Sequence, residues 1–265
     1  MICRFTVLYT TTLLLSSSFF SAYADETANA TTSTNSLTVG AVTQVAPSYS
    51  GSNHSKLSLL PVIQAHHGKF FFDSTKGIGY DLQGPEGFYI EQTIGYDLGR
   101  ADKNSEWRDG DNQLKGLGTI KSTANTSLTI GYQITDWLAT EAMITAPLTD
   151  SQGARYQTSL KGGLWQNTNN TISFEADLLF GSHTYMNTFY GVNSRQSQKS
   201  DFREYTAAGG MYAQSVYIDW THKLTENWNT DWSIGYTYLN DKAANSPIVE
   251  QRGGIESTLA IAYAF

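Results

Sequence analysis

The sequence has one cysteine, few charged residues and, beyond its N-terminus, no long apolar run. Cys3 lies in the N-terminal segment, so the rest of the chain has neither a disulfide nor a thiol site. Charged residues make up 15%, against roughly 25% in an ordinary soluble domain. Membrane helices need apolar runs of about 20 residues, and disordered chains are poor in aromatic residues. The 13% aromatic content therefore excludes disorder, and the missing runs exclude a helical membrane protein.

The N-terminus has the features of a secretory signal peptide. Arg4 is the only charged residue in 1–24, an apolar stretch follows it, and Ala22-Tyr23-Ala24 is a small-x-small cleavage site. A short buried helix is the alternative interpretation. We therefore predict a signal peptide over 1–24, a flexible leader over the small and polar residues 25–36, and one folded domain over 37–265.

The last eleven residues alternate between two rows. One row is Ile255, Ser257, Leu259, Ile261, Tyr263 and Phe265, and the other is Glu256, Thr258, Ala260, Ala262 and Ala264. Such a period of two places one apolar row on one side of a β-strand. The strand ends on Tyr263 and Phe265, and this ending resembles the C-terminal strand that the barrel assembly machinery reads in bacterial outer-membrane barrels. An edge strand of a soluble β-sandwich is the alternative.

The same alternation recurs along the chain, and the polar face is mostly Gly, Ser, Thr, Asn and Gln. This is typical of a transmembrane barrel with a lipid-facing row and a polar lumen, and the sheet must close because lipid cannot pair backbone groups. We predict an all-β, antiparallel transmembrane barrel of about 12 strands. The predicted strands are 37–45, 56–66, 69–73, 77–82, 87–98, 122–134, 137–147, 155–165, 171–180, 210–223, 228–239 and 255–265.

The connections between these strands are of two kinds. The links 99–121, 181–209 and 240–254 are long and polar, whereas those at the other end are short. Bacterial barrels have long extracellular loops and short periplasmic turns. We therefore predict periplasmic termini and a bacterial outer-membrane location. Counts of 10 or 14 strands stay open, because the apolar run in 66–86 does not alternate.

Carboxylates dominate the predicted lumen face, and Glu141 and the cation Lys161 are further candidates for it. Two interpretations stay open. The barrel is plugged and its charges pair with Lys or Arg from loops or the leader, or it is a water-filled pore that prefers cations. A 12-strand lumen lies between filled 8-strand barrels and open 16-strand porins. The candidate lumen-lining carboxylates are Glu91, Asp97, Glu175, Asp177, Asp219, Asp231 and Glu256.

No motif for catalysis, cofactor binding or metal binding stands out. The five histidines do not form a cluster with ligand spacing. Ser182-His183 and the pair Asp219 and His222 lie outside any recognisable catalytic motif. The formal charge of −7 argues against a nucleic-acid partner. We predict a protein that is not an enzyme and has no cofactor and no metal.

Several short blocks resemble the MipA/OmpV family of MltA-interacting proteins, and their order follows that of the family over essentially residues 37–265. The blocks are Ala46-Pro47-Ser48-Tyr49-Ser50-Gly51-Ser52, Leu60-Pro61, Gly77-Ile78-Gly79-Tyr80, Gly99-Arg100, Gly116-Leu117-Gly118, Phe189-Tyr190-Gly191-Val192, Tyr205 through Gly210, and Ser246-Pro247-Ile248-Val249.

The resemblance implies an outer-membrane barrel without catalytic residues. The name-giving member is regarded as a scaffold that links a lytic transglycosylase to a bifunctional peptidoglycan synthase. Other members are described as porin-like, or as linked to adhesion, osmotic response or antibiotic susceptibility. The expected partners are outer-membrane lipid, the barrel assembly machinery and these murein enzymes. A scaffold or anchor for cell-envelope proteins is the first functional hypothesis, and a small-solute, cation-preferring channel is the alternative.

Overall fold

The computed structural model describes residues 35–149 and 152–265, so the predicted signal peptide and most of the predicted leader lie outside the described residues. Twelve strands of this part form a closed barrel, which confirms the predicted fold and strand number. The barrel strands are β1 (Ser36–Pro47), β2 (Ser55–His67), β3 (Phe70–Asp73), β4 (Gly77–Gln83), β5 (Phe88–Asp97), β8 (Thr123–Thr135), β9 (Leu138–Pro147), β10 (Arg155–Gln166), β11 (Asn170–Gly181), β12 (Gly210–Lys223), β13 (Trp228–Leu239) and β14 (Gly253–Ala264).

Short elements fill the connections between the barrel strands. A parallel pair of two-residue strands, β6 (Arg100–Ala101) and β7 (Asp109–Gly110), lies outside the barrel. The helices are α1 (His183–Tyr190), α2 (Ser194–Ser197) and α3 (Asp241–Ala244), with 3-10 turns at Pro85–Gly87 and Asn112–Leu114. None of the helices in the described ranges is long and apolar enough to cross a membrane.

Each barrel strand pairs antiparallel with the barrel strands before and after it, and β1 pairs with β14 to close the sheet. In that last pairing Val39 lies opposite Tyr263 and Thr43 lies opposite Leu259. Backbone groups within the apolar layer of a membrane must find partners inside the protein, and closure provides them.

Burial along the strands is inverted relative to a soluble protein. On β13, Trp232, Ile234 and Tyr236 are exposed, whereas Ser233 and Gly235 between them are buried. The apolar row therefore faces outward and the polar row faces the interior, as the alternation in the sequence predicts.

The two ends of the barrel differ in the length of their connections. We call the end with both barrel termini the turn end; its connections are 68–69, 84–87, 136–137, 167–169 and 224–227. The opposite end, which we call the loop end, has the connections 48–54, 98–122, 148–154, 182–209 and 240–252.

The hairpin of β3 and β4 is much shorter than its neighbours. It pairs with only the last four residues of β2, Gln64–His67. A tight turn after Asp73 joins β3 to β4. Asp73 stabilises it, because its Oδ1 accepts hydrogen bonds from the backbone N–H groups of Thr75 (2.7 Å) and Lys76 (3.2 Å). Its Oδ2 accepts a bond from Gln64 Nε2 at 3.0 Å. The hairpin therefore fills only the turn half of the wall between β2 and β5.

Candidate functional site

A buried ion-pair cluster lies in the middle of the barrel interior. Lys161 Nζ is 2.8 Å from Glu141 Oε2 and 3.5 Å from Glu175 Oε1. The three side chains come from the neighbouring strands β10, β9 and β11, and each is at least nine-tenths buried. Tyr89 Oη also donates a hydrogen bond to Glu141. Burying charge is costly unless it is paired and hydrogen-bonded, and this cluster satisfies both conditions.

Asp177, next to this cluster on β11, is held by uncharged donors. Its Oδ1 accepts from Ser159 Oγ at 2.7 Å and Gln157 Nε2 at 3.0 Å, and its Oδ2 accepts from Ser215 Oγ at 3.1 Å. The donors sit on the two strands that flank β11, so the carboxylate joins three strands across the inner wall.

Two further predicted carboxylates pair with cations that sequence reasoning missed. Asp97 Oδ2 is 3.1 Å from Arg155 Nη1, and Glu91 Oε1 is 3.4 Å from Lys76 Nζ. The two cations on β10, Arg155 and Lys161, are six residues apart. An even spacing puts two residues on the same face of a strand. That spacing was available in the sequence as a signal.

The remaining three predicted carboxylates lie along the strands β12, β13 and β14. Thr221 Oγ1 donates to Asp231 Oδ1 at 2.6 Å, and Asp219 is buried. Glu256 hydrogen-bonds the hydroxyl of Tyr217. The interior cations come from β10 and the hairpin turn, whereas the plugged-barrel interpretation expects them from loops or the leader.

Two tyrosine rings lie flat against the inner wall over glycines. A Cβ on Gly131 would meet the ring of Tyr89 at 1.9 Å, and one on Gly235 would meet the ring of Tyr217 at 2.1 Å. Only glycine allows a ring this close to the strand. The flat position lets the hydroxyl of Tyr89 reach Glu141 on the next strand but one.

The loop end is covered by a packed cap built from the long connections, which we define by two apolar clusters. One cluster packs helix α1 onto the barrel rim, and the other joins four separate connections. The buried members of the first are Leu179, Tyr185, Met186, Tyr190, Ala207, Tyr212, Ala213, Leu239 and Ala243. Those of the second are Tyr49, Leu114, Leu117, Val192 and Ile248.

Tyr212 shows how a bulge changes the outcome of a sequence pattern. Simple alternation groups Tyr212 with the outward residues of β12. The pairing with β11 shifts, with Ala213 opposite Leu179 and Met211 opposite Phe180, so Tyr212 falls in a bulge. Its ring is buried in the cap and lies 5.7 Å from the ring of Tyr190. Bulges re-aim a side chain in this way.

Hydrogen bonds link the connections within the cap. Tyr49 Oη donates to the carbonyl of Ile248 at 2.8 Å, and the hydroxyls of Ser50 and Tyr190 are 2.8 Å apart. Burial raises the pKa of the Tyr49 and Tyr190 hydroxyls well above their usual value. Both hydroxyls therefore stay protonated.

Arg100 is a buried cation of the cap. Its side chain donates to the carbonyl of Phe189 at 2.5 Å, and its guanidinium lies 6.0 Å from the centroid of the Tyr49 ring. Burial lowers the pKa of Arg100 from its usual value, although arginine stays charged in proteins. The aromatic face and the carbonyl replace part of its lost hydration.

The family-like blocks of the sequence meet in this cap. Tyr49, Arg100, Leu117, Tyr190 and Ile248 come from five different blocks and are brought together at the loop end. The long connections, which we predict from the sequence as polar links, therefore form one packed structure. The apolar residues within those links were the signal for it.

The C-terminal residues lie at the turn end. The backbone N–H of Phe265 donates to the carbonyl of Leu37 at 2.9 Å, and its ring packs edge-on against Tyr263 at 4.8 Å. The ring of Phe265 is 74% exposed. Tyr263 also contacts Trp228, with the ring centroids 5.2 Å apart. Their role as an assembly signal stays a prediction.

The residue pairs considered for catalysis have structural partners. Ser182 Oγ accepts from the backbone N–H of Tyr185 and caps helix α1. The ring of His222 hydrogen-bonds Asn170 at 2.8 Å. Within residues 35–149 and 152–265, no group of three or more His, Cys, Asp or Glu side chains is placed to hold a metal ion.

A closed antiparallel barrel with an apolar exterior and a polar interior defines an outer-membrane β-barrel protein. Residues 39–265 match the family described as MltA-interacting protein MipA, and the chain belongs to this family. The outer-membrane location is thereby confirmed. No curated protein matches the chain.

Solved structures with a similar fold are outer-membrane proteins of several kinds. An outer membrane channel of the COG4313 group from Pseudomonas putida F1 has 9% identity and a TM-score of 0.44, with 89% of this chain and 97% of that one covered. The translocator domain of the autotransporter NalP from Neisseria meningitidis has 10% identity and a TM-score of 0.41, with 88% of this chain and 90% of that one covered. An anion-selective porin from Comamonas acidovorans has 9% identity and a TM-score of 0.38, covering 88% and 99%.

Proposed function

We propose that this outer-membrane barrel is a non-catalytic anchor or scaffold for cell-envelope proteins, with a lytic transglycosylase and a peptidoglycan synthase as partners. The observation that carries the proposal is the match over residues 39–265 to a family described as MltA-interacting. The barrel interior agrees with it, because Glu141 and Glu175 are buried and bonded to Lys161 at the wall.

The surface available for such partners is the turn end, which faces the periplasm if the long connections are extracellular. Its turns carry exposed charges of both signs, including Lys69, Glu86, Asp136 and Glu226. The turns at this end are short and hydrogen-bonded to the strands. A partner that binds them therefore loses little free energy to the ordering of loops.

The test is crosslinking in intact envelopes, followed by capture of the tagged full-length chain. We expect a lytic transglycosylase and a peptidoglycan synthase to be enriched with the wild type. The double variant Asp136→Lys, Glu226→Lys should reduce their recovery several-fold. Its matched control is Asp201→Lys, Glu204→Lys, which makes the same change in charge on exposed residues of the loop end. Failure to recover any murein enzyme with the wild type would overturn the proposal.

A small-solute, cation-preferring channel is the second candidate. The negative charge of the interior favours this candidate. Some interior carboxylates pair with cations, and Asp177 and Asp231 are held by uncharged donors. Rings of carboxylates favour cations in a pore. Whether the predicted lumen-lining carboxylates meet permeating ions stays a proposal.

Recording from planar bilayers separates the two candidates. The scaffold proposal expects no regular conductance steps from the purified wild type, since the cap covers the loop end. Regular steps with a preference for cations would favour the channel instead. In that case Glu175→Asn with Asp177→Asn should reduce the preference, and Asp201→Asn, at an exposed site of the loop end, should leave it unchanged.

A further inference from the structure

A groove runs across the outer face of the barrel wall from β10 to β14, and we call it the outer groove. It has a volume of about 620 Å³, within the roughly 300–1,000 Å³ of small-molecule sites. The side chain of Glu175 faces the interior, so this residue lines the groove with its main chain, which forms the floor. The sides are exposed apolar side chains of the lipid-facing rows: Leu164, Val216, Ile218, Ile234, Tyr236 and Ile255.

The outer groove lies between two rows of paired residues. In the first row Phe174 lies opposite Ile218, and Ile218 lies opposite Ile234. In the second row Val216 lies opposite Tyr236. Residues on one face of a strand are two positions apart, so the rows are about 6.6 Å apart at ~3.3 Å per residue. Rows cross the strands at right angles, and because the strands are tilted by ~40°, the groove runs obliquely through the membrane.

Two glycines widen the groove, because they let aromatic rings lean away from it. A Cβ on Gly253 would clash with the hydroxyl of Tyr236, and one on Gly162 would clash with the ring of Phe174. Gly253 lies one pair nearer the loop end than Tyr236, so the ring of Tyr236 leans toward the loop end. Phe174 lies opposite Gly162, so its ring leans sideways onto β10. Both rings are thereby displaced from β12 and β13, where the groove is open.

The outer groove reaches from the level of the lipid head groups past the middle of the membrane. Ile255, at its upper end, lies nine residues from Ala264, the last residue of β14. At ~3.3 Å per residue and ~40° tilt, this places Ile255 about 23 Å above the turn end, near the top of an apolar band about 25 Å tall. Phe174 lies four residues from Asn170, the first residue of β11, and therefore at about 10 Å by the same measure.

The two ends of the groove differ in polarity. The hydroxyl of Tyr236 lies at Gly253, the first residue of β14 at the loop end. Gln214 and Tyr238 form the next pair toward the loop end and belong to the outward rows. Tyrosine at this level presents its ring to hydrocarbon and its hydroxyl to the head groups. The lower end, around Phe174, is apolar.

We propose that the outer groove binds an acyl chain of an outer-leaflet lipid, whose head group lies at Tyr236 and whose chain runs obliquely down to Phe174. The groove is part of the lipid-facing surface, so the hydrocarbon chains of the membrane lie at its mouth. A chain in the groove contacts apolar side chains on two sides and the wall beneath, whereas a chain on the open wall has contact on one side. This lipid therefore exchanges more slowly than its neighbours.

A second copy of the barrel is the other occupant that an apolar groove invites. Two convex walls touch along a narrow line, whereas stable protein interfaces bury about 1,200–2,000 Å² in total. The groove is also a recess, which a neighbouring wall of the same curvature does not enter. A flexible chain adapts to the oblique course of the groove, so a lipid fits it better than a rigid partner does.

The test is photocrosslinking of the purified wild type in phosphatidylcholine nanodiscs with two phospholipid probes. The terminal probe has a diazirine at the end of its acyl chain, and the ester probe has the diazirine beside the ester. Trypsin places Phe174 in the peptide 162–195 and Ile255 in the peptide 253–265, and mass spectrometry locates the label within each. We expect the terminal probe to label Phe174 and the ester probe to label Ile255.

A single substitution fills the groove. Ile218→Trp should reduce labelling of Phe174 by the terminal probe at least five-fold, and it should remove the one phospholipid that we expect native mass spectrometry to find on the wild type. The matched control is Ile130→Trp, which should change neither. Ile130 is exposed on β8, five residues from the turn end of its strand, as Ile218 is on β12. Heat modifiability on electrophoresis verifies folding; if Ile218→Trp does not fold, Ile234→Trp replaces it with the same expectation.

Three results would overturn the proposal. Equal labelling of Phe174 in the wild type and in Ile218→Trp would mean that the groove holds lipid no more tightly than the rest of the wall. Labelling of Ile255 by the terminal probe and of Phe174 by the ester probe would mean that the head group lies at the turn end. A dimer in native mass spectrometry, with both peptides protected from label, would mean that a second copy covers the groove.

Discussion

The barrel interior and the cap both bury polar groups, but ion pairs are prominent in the interior and apolar packing is prominent in the cap. The interior joins charges to charges, as in the cluster of Lys161, Glu141 and Glu175. The cap packs aromatic and aliphatic side chains around the buried cation Arg100, and neutral hydrogen bonds such as that from Tyr49 to Ile248 link its connections. Apolar packing degrades gradually when one member is trimmed, whereas a charge network fails when one partner is lost. The two regions should therefore respond very differently to single substitutions.

The largest effect is expected for Lys161→Met, because it leaves Glu141 and Glu175 buried without their cation. Removal of one partner from a buried pair costs about 3–5 kcal/mol. Urea unfolding in lipid vesicles, followed by tryptophan fluorescence, measures this loss. The triple variant with Glu141→Gln and Glu175→Gln should recover most of it, since no buried charge then lacks a partner. A single variant as stable as the wild type would show that water already reaches the cluster.

A smaller loss is expected for Met186→Ala in the cap. Met186 is fully buried between α1 and the barrel rim. Large-to-small substitutions in a core cost about 2–5 kcal/mol, and the lower part of this range applies where neighbours can relax. We expect faster proteolysis within 182–209 and an unchanged unfolding midpoint of the barrel. If the unfolding midpoint of the barrel falls as proteolysis of the cap becomes faster, the cap and the wall unfold as one unit.

Tyr190→Phe removes only the hydrogen bond to Ser50 and keeps the ring packing. A neutral hydrogen bond contributes about 0.5–1.5 kcal/mol, so the cap should loosen by about 1 kcal/mol. The measurement is the protection of cap amides from hydrogen exchange. Combination with Ser50→Ala in a double-mutant cycle isolates the contact. Full additivity of the two substitutions would contradict its importance.

The smallest effect is expected for Lys56→Ala, which removes the contact to the exposed Asp109. Ion pairs of this kind contribute less than about 1 kcal/mol. The unfolding midpoint should therefore stay close to that of the wild type, and 1 M salt should remove any difference. A loss comparable to that of Lys161→Met would contradict the distinction between buried and exposed pairs.

The wall of the barrel could be predicted from the sequence and the cap could not, for a physical reason. Most strands alternate on their own, so they are visible one at a time. The short strand Phe70–Asp73 begins with three phenylalanines in a row and does not alternate, which is why the strand count stayed open there. The cap depends on contacts between distant segments, such as Tyr49 with Ile248, which no local period reveals. The predicted carboxylates were found in the same way as the strands. Their cations were less visible, because Arg155 reaches a carboxylate on β5, three strands away around the wall.

The position of β10 in the wall, between β9 and β11 and three strands from β5, has a consequence for assembly. The strand carries Arg155 and Lys161 toward the interior, and their acidic partners lie on β5, β9 and β11. A partly formed sheet that lacks any of these strands exposes uncompensated charge at the membrane. The ion pairs of Arg155 and Lys161 are therefore complete only when β5, β9, β10 and β11 have come together. Electrostatics thus makes the joining of these four strands more cooperative than backbone pairing alone would.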